Sequence, residues 1–198
     1  MCGICGELRF DNEVSQLDTI HRMMDKLARR GPDNAGDYQD GALAMGHRRL
    51  SIIDLSERAN QPMIDNDLGL SIVFNGTIYN YPQLRDALIA KGYSFFSHGD
   101  TEVIIKAYAE WGERCVERLH GMFAFAVWDR KQQQLFLARD RLGIKPLYYS
   151  QTNSQFRFAS NTQALLAAGD VDTAIDPVAL HHQFTLHAVI PAPHTILK

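Results

Sequence analysis

"MCGICGELRF" (residues 1–10) places a thiol, Cys2, directly behind a leading methionine and in front of glycine, at the start of an apolar run. The run "ICGELRF" (4–10) reads as a strand. Two readings fit the cysteine. In the first it is a small packing residue at a strand start. In the second, Met1 is removed, because the cysteine behind it is small enough for the usual aminopeptidase. One residue then carries both a thiol and a free α-amine. A thiol ordinarily titrates near about 8.5 and an α-amine near about 7.7–8.0. The amine can therefore take the thiol proton and return it to a leaving group without a histidine. N-terminal threonine nucleophiles are activated in this way, and cysteine needs less help because its thiolate is a strong nucleophile.

The 198 residues around this stretch suffice for one large domain, or one domain with a short appendage. A hydrophobic content of 45% can build a core, and 22% charged residues is ordinary for a globular chain. The net charge is −3, with acids and bases interspersed. No basic stripe is present, which argues against nucleic-acid binding. The longest apolar runs, such as "MFAFAVW" (122–128), are too short to cross a bilayer. No basic stretch leads into a long apolar region, which argues against a secretory signal. Cys2, Cys5 and Cys115 form an odd set, which fits a reducing, cytoplasmic compartment. Cys2 and Cys5 have C-x-x-C spacing, but no second pair and no matching Cys/His set follows, so no metal site is expected.

Further along, Val14, Leu17, Ile20, Met24 and Leu27 recur at helical steps, and "RRGPD" (29–33) stops that helix. "GALAMGHRRLSIID" (41–54) and "LGLSIVFNG" (68–76) have the apolar density of buried strands. "YPQLRDALIAKG" (81–92) reads as a helix opened by proline and closed by Gly92. "TEVIIKAYAEWG" (101–112) reads as a second helix that breaks near Gly112. "MFAFAVWD" (122–129), "QLFLARD" (134–140) and "FRFAS" (156–160) suggest an antiparallel meander. "NTQALLAAG" (161–169) is a short helix, and another starts at Pro177 and runs into a Pro-rich connector. The order is strand, helix, two strands, two helices and a run of strands. Two packed sheets with helices outside would satisfy every segment.

"MCGICG", "RRGPD", "GHRRLSIIDLS" (46–56), "QPM" (61–63), "FNGTIYNY" (74–81), "GDTEVI" (99–104), "MFAFAVWD" and "RDRLGIKPLYY" (139–149) resemble, in this order, the motifs of class II glutamine amidotransferases. They are most similar to the amino-terminal glutaminase half of asparagine synthetase-type proteins. Within that group, "NGTIYNY" and "DPVALHHQFTLHAVIPAPHTIL" (176–197) resemble N-acetylglutaminylglutamine amidotransferases. The resemblance implies an N-terminal-nucleophile hydrolase fold, a four-layer α/β/β/α sandwich of two largely antiparallel sheets (class α/β, or α+β). It also implies hydrolysis of glutamine through a γ-glutamyl thioester, yielding glutamate and ammonia.

On that basis Cys2 is the nucleophile, and Asn75 with the backbone N–H of Gly76 forms the oxyanion hole. Read without the resemblance, Asn-Gly is a plain strand-ending turn. Arg49 would clamp the α-carboxylate of glutamine with paired donors. Arg48 is the neighbouring alternative, and strand alternation sends the two to opposite faces. Asp100 would hold the α-ammonium, or else serve only as a helix N-cap, with Glu102 and Glu110 solvated. Thr77 stands where relatives carry an acid, "NGEIYN", so amine recognition would rest more on Asp100. Cys5 and Cys115 read as structural, and His181, His182 and His187 lack acidic company and metal-ligand spacing. Gly143 and Pro146 would shape a supporting turn.

Residues 1–175 would form the glutaminase domain, and 176–198 the start of a connector to a synthetase domain outside the chain. "PAPHTILK" (191–198) lacks terminal capping logic and looks cut. No cofactor is expected in this chain. ATP and Mg belong to the synthetase domain, whose Ser-Gly-Gly phosphate loop is absent here, as is G-x-x-x-x-G-K-S/T. The partners implied are glutamine and that domain, with no nucleic acid and no membrane; the oligomeric state stays open, a homodimer included. A non-catalytic glutamine-sensing or docking domain of the same fold is the alternative, and a retained Met1 would favour it.

Overall fold

The computed structural model describes residues 1–186 and 190–197. It divides into two units, 1–168 and 169–198. The first holds two sheets. One has the order β2-β3-β1-β9-β8, built from β1 (Gly3–Arg9), β2 (Asn34–Asp40), β3 (Leu43–Arg49), β8 (Tyr148–Gln151) and β9 (Gln155–Ala159). The other runs β4-β5-β6-β7, from β4 (Met63–Asp65), β5 (Leu70–Ile78), β6 (Gly121–Asp129) and β7 (Gln134–Arg139). Every pairing is antiparallel. Helices α1 (Leu17–Leu27) and α4 (Thr162–Ala168) cover the first sheet, while α2 (Tyr81–Ala90) and α3 (Asp100–Trp111) lie on the side of the second.

Strand alternation explains why these segments are apolar throughout. In β6, Phe123, Phe125 and Val127 point into the layer shared with α2 and α3. Ala124, Ala126 and Trp128 point the other way, into the layer shared with Ile4, Met45, Val73 and Phe158. In β1, Ile4 faces the second sheet while Cys5 packs beneath α1 and α4. Both faces of the central strands β1, β3, β5 and β6 are thus buried, and helix, sheet, sheet and helix form the four layers expected. The indole N–H of Trp128 donates to Asp40 at 2.8 Å, a polar tie between the two sheets.

Most expected elements form. The first helix starts at Leu17, leaving Val14 exposed before it. The second has proline in its first turn, and Gly92 follows it at φ +96. Three strands escape the sequence reading: β2, β4 and β8. The final run of strands is no single meander either. The β6–β7 hairpin belongs to one sheet and β8–β9 to the other, because the 140–147 segment crosses between them.

In the second unit, α5 (Pro177–Thr185) begins at the expected proline, with Asp176 as its N-cap accepting from Val178 and Ala179. Asp176 also accepts from His194, whose ring lies 6.3 Å from that of His182. His187 lies outside the described residues. Among the described residues no helix is long and apolar enough to cross a membrane.

Candidate active site

Parity assembles the site. Ile4 faces the gap between the sheets, so Cys2, two residues earlier, shares that side. On β3, Met45 faces the gap, and His47 and Arg49 follow it at steps of two. On β5, Val73 does the same for Asn75 and Thr77. These chains meet around a cavity of about 410 Å³, lined by Cys2, Arg49, Asn75, Gly76, Thr77 and Asp100 among others. All six residues singled out in the sequence therefore share one space. Arg48 does not: it turns to the helix side, donating to the Met24 carbonyl and pairing with Asp25.

The 75–76 pair lies inside β5, not in a strand-ending turn. Asn75 is opposite Ala124 and Gly76 opposite Phe123, and pairing continues to Ile78. Even-numbered residues of β5 direct their backbone groups away from β6, as Tyr79 bonding to His120 and Arg130 bonding to Gly69 fix the register. Beyond β4 that edge is open, and side chains occupy it. The N–H of Phe74 donates to Gln61 Oε1 at 2.6 Å, its carbonyl accepts from His47 Nε2 at 3.1 Å, and the N–H of Ile78 donates to Asp100 at 3.0 Å. Between these, the N–H of Gly76 has no partner among the described residues and borders the cavity. A Cβ at Gly76 would collide with the Met122 carbonyl and the Phe123 backbone, so only glycine fits. Beside it the Nδ2 of Asn75, whose residue is 1% exposed, is also unpartnered among the described residues. Two adjacent free donors, one backbone and one side chain, face the same hollow.

Cys2 is half-buried; its sulfur accepts from the Leu50 N–H at 3.4 Å, and the Arg30 Nε donates to its carbonyl at 3.0 Å. Burial pushes the other two thiols, Cys5 and Cys115, up to about 12, which leaves them as inert packing residues. Arg49 donates Nη1 to Ser56 O at 2.9 Å and to Asn60 Oδ1 at 2.7 Å, and Nη2 to the Asp54 carbonyl. Two of the five guanidinium N–H donors remain, the number a carboxylate takes. Burial pushes the carboxyl of Asp100 up to about 6, against the pull of the backbone N–H bonds it accepts. No cation pairs with it among the described residues.

Asp100 is the first residue of α3, and Gly99 is the N-cap, so the capping reading of Asp100 does not hold. Nor is Glu102 solvated. It is fully buried and accepts from Phe96 N, Ser97 N and Ser97 Oγ, fixing the turn that delivers Asp100. Glu110 is half-exposed and pairs with Lys91 at 2.7 Å. Sequence reasoning also missed Gln61 and His47 as the clamps of β5, although "QPM" and "GHRRL" were the signals at hand. The turn in "RDRLGIKPLYY" is architectural as read. Asp140 accepts from Phe123 N, Ile144 N and Lys145 N, and Gly143 takes φ +65. Yet Ile144 and Lys145 of that turn also line the cavity.

A thiol, two aligned donors and a separated Arg/Asp pair thus meet in the gap between two helix-covered sheets. Among solved structures, the fold is similar to the glutamine phosphoribosylpyrophosphate amidotransferase of B. subtilis, with TM-score 0.72 and 21% identity over 85% of this chain and 44% of that one. The sequence is 42% identical to glutamine-hydrolyzing asparagine synthetase 3 of Bacillus subtilis, over 94% of this chain and 31% of the relative. It is 36% identical to a putative glutamine-hydrolyzing asparagine synthetase 2 of Methanocaldococcus jannaschii, over 100% of this chain and 41% of the relative. The chain thus spans less than half the length of these relatives. The glutamine amidotransferase domain family matches residues 1–198, and the chain belongs to that family.

Proposed function

We propose that this chain hydrolyses the side-chain amide of glutamine at Cys2 and supplies ammonia to an amide-forming synthetase domain. The observation that carries this reading is the pair of unpartnered donors, Asn75 Nδ2 and Gly76 N–H, bordering the cavity that Cys2 also lines. Once Met1 is removed, the α-amine of Cys2 takes the thiol proton as sulfur attacks the amide carbon. The carbonyl oxygen becomes an oxyanion held by the two donors. The amine then passes its proton to the amide nitrogen, the C–N bond breaks, and ammonia leaves a γ-glutamyl thioester. Water, deprotonated by the same amine, attacks the thioester; glutamate departs and the thiol is restored. Arg49 takes the α-carboxylate with its two spare donors, and Asp100, with Thr77 nearby, takes the α-ammonium.

The synthetase side uses ATP and Mg to activate an acceptor carboxylate outside this chain. Aspartate is the acceptor that the relatives' names suggest. The segments at 75–81 and 176–197 favour instead an N-acetylglutaminylglutamine-type dipeptide. Supplying each acceptor to the longer polypeptide separates the two. Ammonia release from glutamine by the processed chain, absent in Cys2→Ala, is the expected result; equal release from both would overturn the reading. A glutamine-binding, non-catalytic role would be favoured by a Met1 retained in the mature chain, because it would block the amine of Cys2. That role predicts glutamine binding without ammonia.

A further inference from the structure

Lys145 is 5% exposed, lines the cavity, and pairs with no carboxylate among the described residues. Its Nζ lies 3.4 Å from the sulfur of Met1, the residue whose loss exposes the amine of Cys2. The backbone on either side of this ammonium is pinned. The N–H of Lys145 donates to Asp140 Oδ2 at 2.9 Å, and its carbonyl accepts from Arg139 Nε at 2.7 Å. Asp140 ties the same turn to Phe123, across from Gly76, so the lysine and the free donors share one scaffold. A buried, unpaired cation held this firmly needs an explanation beyond surface solvation.

We propose that Lys145 is a positioning residue that biases the α-amine of Cys2 toward its neutral, proton-accepting form. The inference rests on the hydrolytic reading above. Two cations in one cavity disfavour each other, so an ammonium at Lys145 discourages a second at Cys2, which lines the same space. The other charged groups of the site act in both directions. Arg30 donates to the carbonyl of Cys2, and its positive charge acts in the same direction. Arg49 is positive and engaged by the 54–60 loop. The carboxylate of Asp54 is held by Ser56 N and His98 N, and that of Asp100 by Ile78 N. When glutamine binds, its ammonium and carboxylate neutralise Asp100 and Arg49, leaving Lys145 and Arg30, two positive charges against the one negative charge of Asp54, to act on the amine.

The test is the pH profile of kcat for ammonia release at saturating glutamine by the Met1-processed chain, which reports the glutamine-bound state, comparing wild type, Lys145→Met and Lys145→Arg, with thermal unfolding as the check on folding. The expected result is an acid limb moved up by about 1 pH unit in Lys145→Met, a shift of the size that one like charge produces across a protein site. In Lys145→Arg, which restores the charge, the limb stays in place. An unmoved limb in a folded Lys145→Met overturns the inference, as does a uniform loss at all pH values or an equal shift in the arginine variant. Failure of the hydrolytic reading looks different: Cys2→Ala would then release ammonia at the wild-type rate.

Discussion

Asp100 sits almost fully buried at the start of α3 with no cation beside it among the described residues, and burial pushes its carboxyl up to about 6. Such a group weakens the empty protein wherever it is ionised. Its contribution to stability is complete below about 3.8 and is lost as pH rises through about 6. His47 works in the opposite sense. Burial holds its imidazole down to about 4, so the stability it lends is complete above about 6.5 and is lost as pH falls through about 4. Each effect is worth at most about 3 kcal/mol. Asp100→Asn keeps an acceptor for the Ile78 N–H and removes the charge. Urea unfolding should show it more stable than wild type by ~2–3 kcal/mol at pH 7.5, with a KM for glutamine raised at least tenfold, about the loss of one charged contact. Between pH 6.5 and 4 the wild-type stability should stay nearly flat, since the two groups oppose, while the variant loses stability from His47 alone. Thr77→Glu should lower KM and leave kcat within a few-fold, because it adds a second anion for the substrate amine without touching the oxyanion donors. Steady-state kinetics check this, and an unchanged or raised KM would count against the substrate pose.

At the scale of elements, the open edge of β5 is the working part of the fold. Its three outward N–H groups, at 74, 76 and 78, are treated differently: Gln61 and Asp100 satisfy the outer two, and the middle one is left free. Gln61→Leu leaves the Phe74 N–H buried and unpaired, which should cost about 1–3 kcal/mol. It should also lower kcat more than it raises KM, because the displaced strand carries donors used only in the transition state. Denaturant unfolding and initial rates measure the two effects. This edge also shows where sequence reading reaches its limit. Asn75 and Gly76 were legible as a donor pair, but Asn-Gly alone signals a turn, and only pairing with Ala124 and Phe123 makes it a strand. Glu102 looked solvated because its acceptors' partners, Phe96 and Ser97, come from a loop with no periodicity. The strand β2 went unseen because "NAGDYQD" offers almost no apolar alternation; it forms by pairing along β3.

Across the whole molecule, the four layers follow from strands that are apolar on both faces. That pattern was readable in "MFAFAVWD" and "LSIVFNG" before any tertiary contact was known. Which strands share a sheet was not readable, since the 140–147 turn, built around Asp140, sends β8 and β9 away from β7. The same layering brings Cys2 from β1's threshold, Arg49 from β3 and Asn75 from β5 into one gap, although 72 residues of chain separate the first from the last. The central claim concerns the first of these, that one residue supplies both sulfur and base. Intact mass after exposure to a glutamine-like electrophile such as diazo-oxo-norleucine, on chains with Met1 removed and with Met1 retained and acetylated, tests it directly. One adduct on Cys2 of the processed chain, together with an unreacted acetylated chain, is the predicted result. Equal labelling of both, or an adduct on any other residue, would contradict it.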